Sequence, residues 1–400
     1  MWKIDRRLIM LSLCLVLSWA AYPCCYNKVS VVTRQKLQHT QHQLFSNLNE
    51  SVWLQRWLFS YDFEVNRSNE FFVEAIVATD EGRSSGSDSI DENIGDIHQL
   101  WWRGQIANAS VILGRQIWSF ENQRQIGNRE GTNVRRRFDG LRVISNNGNT
   151  EFYAGFHVES KLAPLSDSAN HQQFISGIRQ KMSVNEQDYW QFNFIRYRDE
   201  RHSHQALLYS LTIDYFHYSP VIDFNIESIL QWGEQHQQNV QAYWLYSRLA
   251  KSYGSFNVYT GLSYASGDPN PYDGKKQSFE PMFAKAPFYS EAGIFSTSNL
   301  KSLFFGSQVS PWTNTQVELE WHKIWQIHLL DSLYTTGSQR LFPVDEKLHY
   351  SDIYTVRIQS QITQQINCEL VFSFLHQNGH ALISDHVNSS FLEAGFTYVF

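Results

Sequence analysis

The sequence predicts an all-β protein, a transmembrane antiparallel up-and-down β-barrel of about 18 strands, with about 16 as the alternative. Three observations point there. Segments of about ten residues alternate apolar and polar from Ser51 onward, which is the length a tilted strand needs to cross a bilayer. The connections between them are short and long in turn, as expected for short periplasmic turns and long extracellular loops. The last segment, Ser389 to Phe400, keeps alternating up to an aromatic carboxyl terminus, where an unpaired strand would fray.

The elements follow in order. Residues 1–21 read as a signal peptide. Lys3, Arg6 and Arg7 precede an apolar run from Leu8 to Trp19, and Ser18 and Ala20 suit cleavage after Ala20 or Ala21. A short membrane anchor and a lipoprotein at Cys24 remain the other readings of this end. Residues 22–50 alternate poorly and are expected to hold either the first strand or a periplasmic lead-in. The barrel is expected over 51–400. In its first clear strand Trp53, Trp57, Phe59, Tyr61 and Phe63 alternate with Arg56, Ser60, Asp62 and Glu64. Later strands show the same period around Ile222–Glu227, Val317–Trp325 and Ile366–Phe374. Short turns are expected at Asn66–Asn69, Ala107–Asn108, Asn146–Asn149, Val184–Gln187, Ser219–Pro220, Ser252–Gly254, Pro311–Asn314 and Thr363–Gln365. Long loops are expected at 79–96, 121–136, 161–170, 199–204, 233–239, 267–299, 327–350 and 377–388. About 17 segments can be counted, and a single-chain barrel needs an even number, so the missing strand belongs within Lys28 to Leu48.

Composition agrees. Aromatics make up 15% of the chain, with 13 Trp, 20 Tyr and 27 Phe, yet mean hydropathy is −0.40. Aromatics toward lipid and polar groups toward a wet lumen reconcile the two. A secreted β-rich carbohydrate-binding protein or a glycosidase would share the aromatic richness. The net charge of −6 gives no hint of nucleic acid. Cys14, Cys24, Cys25 and Cys368 are too few and too scattered for a disulfide framework or a zinc site. Arg201-His-Ser-His204 and His322…His328 lack a third ligand at sensible spacing. No nucleophile elbow or phosphate-cradling loop occurs, so no catalysis, cofactor or metal is expected.

The end of the chain resembles the C-terminal assembly signal of bacterial outer-membrane barrels, carried here by Glu393, Gly395, Tyr398 and Phe400. Two longer stretches resemble the alginate-export family of outer-membrane porins. One holds LGRQIWSF (Leu113 to Phe120) and NREGTNVRRRFDGLRV (Asn128 to Val143). The other is YASGDPNPYDGKKQSFEPMF (Tyr264 to Phe283), continuing to SNLKSLFFG (Ser298 to Gly306); the Asp331–Tyr334 stretch fits as well. The family's first strand is not recognisable here.

The resemblance implies a monomer in the bacterial outer membrane, folded by the barrel-assembly machinery, surrounded by outer-membrane lipid and served by periplasmic secretion partners. It also implies an electropositive constriction that passes an anionic polysaccharide or oligosaccharide, alginate in the founding members. A general or small-solute porin on the same scaffold is the alternative. A uronate polymer carries a carboxylate on each sugar, so fixed cations must line a narrow pore. Arg suits that task because its planar fork pairs with carboxylates and keeps its charge. The candidate pore and substrate-binding residues are Arg56, Arg115, Arg135, Arg137 and Arg142, with Asp139 among their acidic partners. For each Arg an ordinary lumenal ion pair is the competing reading. Arg115 shares the parity of Val111, Leu113 and Ile117, so a bulge or a locally filled lumen would be needed to turn it inward. Arg196 and Arg198 share the parity of Trp190, Phe192 and Phe194, which places them at a rim.

Overall fold

A computed structural model describes residues 27–42, 49–66, 68–84, 86–120, 122–201, 205–285, 288–335, 340–341, 350–378 and 388–400. The expected signal peptide, Cys24 and Cys25, and the histidines of the Arg201–His204 stretch lie outside the described residues. Alternating side chains dictate strands, and 18 of them close into one antiparallel barrel. They are β1 (Asn27–Gln41), β2 (Glu50–Asn66), β3 (Asn69–Glu81), β4 (Asn93–Ile106), β5 (Ala109–Gln116) and β6 (Phe138–Ser145). Then come β7 (Thr150–Glu159), β8 (Ser168–Ser183), β9 (Asp188–Asp199), β10 (Ala206–Tyr218), β11 (Ile222–Gln235) and β12 (Gln238–Tyr253). The last are β13 (Phe256–Ala265), β14 (Leu300–Trp312), β15 (Thr315–Gln326), β16 (Tyr350–Gln361), β17 (Ile366–Asn378) and β18 (Ser389–Val399).

The first strand lies where the even count requires it, and the wall therefore begins well before residue 50. Its poor alternation has a simple cause. The outward face of β1 reads Val31, Thr33, Gln35, Leu37, and the inward face Val32, Arg34, Lys36, Gln38, so neither face is uniformly apolar. Closure comes from the ladder between β1 and β18, in register from Val32 against Val399 to Gln41 against Ser390. Inside this seam Lys36 Nζ meets Glu393 Oε1 at 2.6 Å, and Gln38 Nε2 donates to Glu393 Oε2 at 2.7 Å. Gly395 faces inward beside them, and a Cβ there would lie 3.1 Å from Lys36 Cγ. Glu393 and Gly395 thus both stand at the closing seam. Tyr398 and Phe400 pack edge-on at 4.3 Å at the same end.

All eight expected short turns occur at one end of the barrel. One of the expected long loops is different. Residues 233–239 form a two-residue hairpin at His236 and Gln237, with φ of 51° and 65°. Both central residues are left-handed, as a primed turn requires, but without the Asn-Gly that normally announces one. Gly233, just before the hairpin, is required by its own surroundings: its φ is +135°, and a Cβ would lie 2.1 Å from Leu207 O on β10.

Breaking the seam pair is expected to weaken the barrel. Lys36→Met strands a buried carboxylate, worth about 3 kcal/mol. It should lower the temperature at which the compact unboiled band is lost on a gel, and Lys36→Met/Glu393→Gln should recover most of that loss. An unchanged transition in the single variant would show that the pair does not support closure.

Candidate functional site: a constriction made by two infolded loops

The lumen is not simply wet. Ile175, Ile195, Leu208, Ile229 and Trp244 point inward and are buried. Two loops cover them. The loop 117–137, between β5 and β6, brings in Trp118, Phe120 and Ile126; the loop 266–299, between β13 and β14, brings in Phe279 and Phe283. Further along, Tyr289, Ile294 and Phe295 pack on Leu300, Ile324, Ile353 and Leu375 of β14–β17. Burying apolar surface holds each loop inside the barrel.

The loops join in mid-lumen. Ile126 and Phe283 form a parallel bridge, with Gly127 N donating to Phe283 O and Phe283 N to Gln125 O. Arg136 clamps the junction by donating to Gly127 O (3.2 Å), Ala284 O (3.1 Å) and Phe283 O, its guanidinium also lying 5.3 Å from the Phe283 ring. Burial away from any carboxylate pushes the Arg136 guanidinium well below its ordinary value.

The tip of the first loop docks on β1–β3 through arginines. Arg34 donates to Glu130 O (2.5 Å), Thr132 O (2.6 Å) and Asn133 Oδ1 (3.1 Å). Arg56 meets Glu130 Oε1 at 2.5 Å. Arg135 meets Glu74 Oε1 at 2.7 Å and Glu130 Oε2 at 3.8 Å. Three guanidiniums therefore share two carboxylates and leave one positive charge over. Burial raises the Glu130 carboxyl, but Arg56, Arg135 and Arg34 outweigh it and hold it below the usual carboxylate range.

Glu130 caps a cavity of about 660 Å³ that reaches the short-turn end and is lined by Arg34, Lys36, Lys285, Glu291, Glu369 and Glu393. A second cavity of about 310 Å³ shares Lys285 and Glu291 and adds Arg124, Tyr246, Phe288 and Arg357. Arg124 lies 3.8 Å from the Phe288 ring and 5.4 Å from that of Tyr246. Arg357 meets Glu291 at 2.5 Å and Glu318 at 2.8 Å. The constriction thus carries charges of both signs beside half-buried aromatic rings.

The candidate residues from the sequence fare differently. Arg56 and Arg135 stand in the docking cluster. Arg142 faces inward, where it and Arg179 grip Glu151 at 2.5 and 2.7 Å. Arg137 is completely buried, paired with Asp167 at 2.8 Å, and presents nothing to a solute. Arg115 and Asp139 keep the outward parity of Leu113 and Leu141; no bulge turns them in. They pair at 2.8 Å, with Asp96 and the Asp167 carbonyl beside Arg115, in a network at the long-loop rim. Sequence reasoning missed Arg34, Lys36, Arg124, Lys285 and Arg357. Arg34 and Lys36 were legible only once β1 was placed, and Arg124 and Lys285 stand on loops whose inward fold has no periodic signature. Among the described residues no group of three potential metal ligands comes together.

A closed barrel of this size, apolar outside and narrowed inside by its own loops, has the architecture of an outer-membrane channel. The chain belongs to the alginate-export family, whose profile matches residues 28–390. Its fold is similar to that of the outer membrane protein OpdK from Pseudomonas aeruginosa, with a TM-score of 0.66, 10% identity, and 94% of this chain and 98% of that one covered. A BenF-like porin from Pseudomonas fluorescens Pf-5 gives 0.67 at 10% identity with the same coverages. OccK8 (OprE) from P. aeruginosa gives 0.65 at 9% identity, again covering 94% and 98%. OpdK has also been solved with vanillate. Comparison with curated proteins gives no match.

Glu130 should make the channel acid-sensitive. Because its folded value lies below the unfolded one, its hold on the loop is present at neutral pH and is lost as pH falls through the folded value, below the ordinary carboxylate range. Single-channel conductance is expected to change over that window, and Glu130→Gln should show the altered level already at neutral pH. A wild-type trace that is flat down to pH 3 would contradict this role.

Proposed function

We propose that the channel passes carboxylate-bearing saccharides, the anionic polysaccharide or oligosaccharide class, by passive movement through its arginine-lined constriction. The observation that carries this reading is the convergence of Arg34, Arg56 and Arg135 on Glu130. A protein carboxylate already occupies the place a uronate would take, held by more cations than it neutralises. Tyr246 and Phe288, half-buried beside Arg124, add aromatic surface to the second cavity that suits a sugar ring. Weak, repeated contacts of this kind let a chain move on rather than stick. The surrounding acids Glu291, Glu369 and Glu393 keep any single contact weak.

A second reading is favoured by the joined loops. The Ile126–Phe283 bridge narrows the lumen, which favours a small carboxylate over a polymer, and the vanillate-bound OpdK channel, similar in fold, supports that class.

Planar-bilayer recording separates the two. Added oligouronate is expected to block the current transiently, whereas an uncharged glucan of equal length should not. Arg135→Gln should weaken the block by about tenfold, the worth of one charge-assisted hydrogen bond. Block by vanillate or benzoate without block by oligouronate would favour the small-solute reading, and equal block by the neutral glucan would remove the role of charge.

A further inference from the structure

The lipid-facing side of β7–β10 carries polar groups that a channel does not need. Arg196 keeps the outward parity of Trp190 and Phe194, in register with Ser176 on β8 and Tyr209 on β10. The row continues to Ala154 on β7 and Trp232 on β11. Among the described residues no side chain or carbonyl bonds the Arg196 guanidinium, the Ser176 hydroxyl or the Tyr209 hydroxyl. Its neighbour Arg198, by contrast, is paired with Glu200 at 3.3 Å. Beside Arg196 the wall is hollowed into an apolar groove of about 400 Å³. Small residues, Ala154 and Ser176, form its floor, and Leu141, Phe152, Ile178 and Phe194 form its sides.

The level of this site matters. Arg196 lies three residues before the long-loop end of β9 at Asp199, beside the aromatic cluster of Phe194, Tyr209 and Trp232, whose rings are 6.0–6.2 Å apart. Aromatics of this kind mark the headgroup level of the outer leaflet. An unpaired guanidinium on a lipid face is costly at depth and is tolerated where headgroups begin. There, an anion from the lipid itself is the available partner. Its planar donor fork matches a phosphate, with two hydroxyls within the same row to complete the set.

We propose that Arg196, with Ser176 and Tyr209, seats the phosphate of an anionic lipid of the outer leaflet, and that one acyl chain of that lipid fills the groove at Ala154. The site lies outside the pore and is independent of what the pore passes.

Native mass spectrometry of the full-length barrel in detergent tests this, with three probes offered: phosphatidylglycerol, a bis-phosphorylated glucosamine lipid and an uncharged glycosyl-diacylglycerol. Both phosphate lipids are expected to give a retained one-to-one adduct and the uncharged lipid none. Arg196→Ala should reduce the adduct about tenfold, Arg198→Ala should leave it within about twofold, and Ala154→Phe, which fills the groove while keeping the charge, should also reduce it. Each variant is first confirmed as a closed barrel by its unboiled gel migration; if Arg196→Ala does not close, Ala154→Phe decides. An adduct unaffected by Arg196→Ala and Ala154→Phe, equal retention of the uncharged lipid, displacement by inorganic phosphate, or a lipid-free dimer would overturn the proposal.

Discussion

Everything in this molecule depends on the pairing of β1 with β18. In hydrocarbon no water is available to an unpaired N–H or C=O, so a sheet can cross a bilayer only if it has no edge. The ten-position ladder from Val32–Val399 to Gln41–Ser390 removes that edge. It also decides the other geometry. With both strands fixed in register, each residue's parity determines whether it meets lipid or lumen. Thus Leu392, Phe396 and Leu37 face out, and Glu393, Arg34 and Lys36 face in. The Lys36–Glu393 pair stands where a slip of either strand by one residue would carry its own charge into lipid and leave the other unpaired in the lumen.

Closure creates a cylinder that must then be narrowed. The chain does this with apolar packing rather than with charges. Residues 117–137 and 266–299 bury aromatic side chains against inward-facing Ile, Leu and Trp, and so behave as a small soluble core within the barrel. The arginines act on the side that this core leaves open. There the tip at Glu130–Asn133 is tied to β1 and β2 by Arg34 and Arg56, and the remaining passage runs past Lys285, Glu291 and Arg357. The charges that hold the loop and those that would meet a solute are partly the same, which couples loop position to what the pore contains.

Much of the wall was legible in the sequence because lipid enforces a period of two. Trp53 to Phe63 and Leu392 to Phe400 could be placed on a face from their neighbours alone, and tight turns stood out against long connections. Where the lumen is filled, that signal fails: Ile195 and Tyr197 are apolar on the inward face while Arg196 and Arg198 are charged on the outward one. Strand β1 was hidden because Thr33 and Gln35 interrupt its lipid face. The site was less legible still. Parity argued that Arg115 faces outward, and it does, together with its partner Asp139, but the motif around them drew both toward the pore. Arg137 has the right type and place in the chain, yet Asp167, from another loop, neutralises and buries it.

The central claim is that fixed cations around Glu130 set the character of the passage. The zero-current potential across a bilayer holding the purified channel, under a potassium chloride gradient, tests it most directly. Permeability to chloride above that to potassium is the predicted result, reduced or reversed by Arg56→Glu. A wild-type channel that prefers potassium would contradict the account.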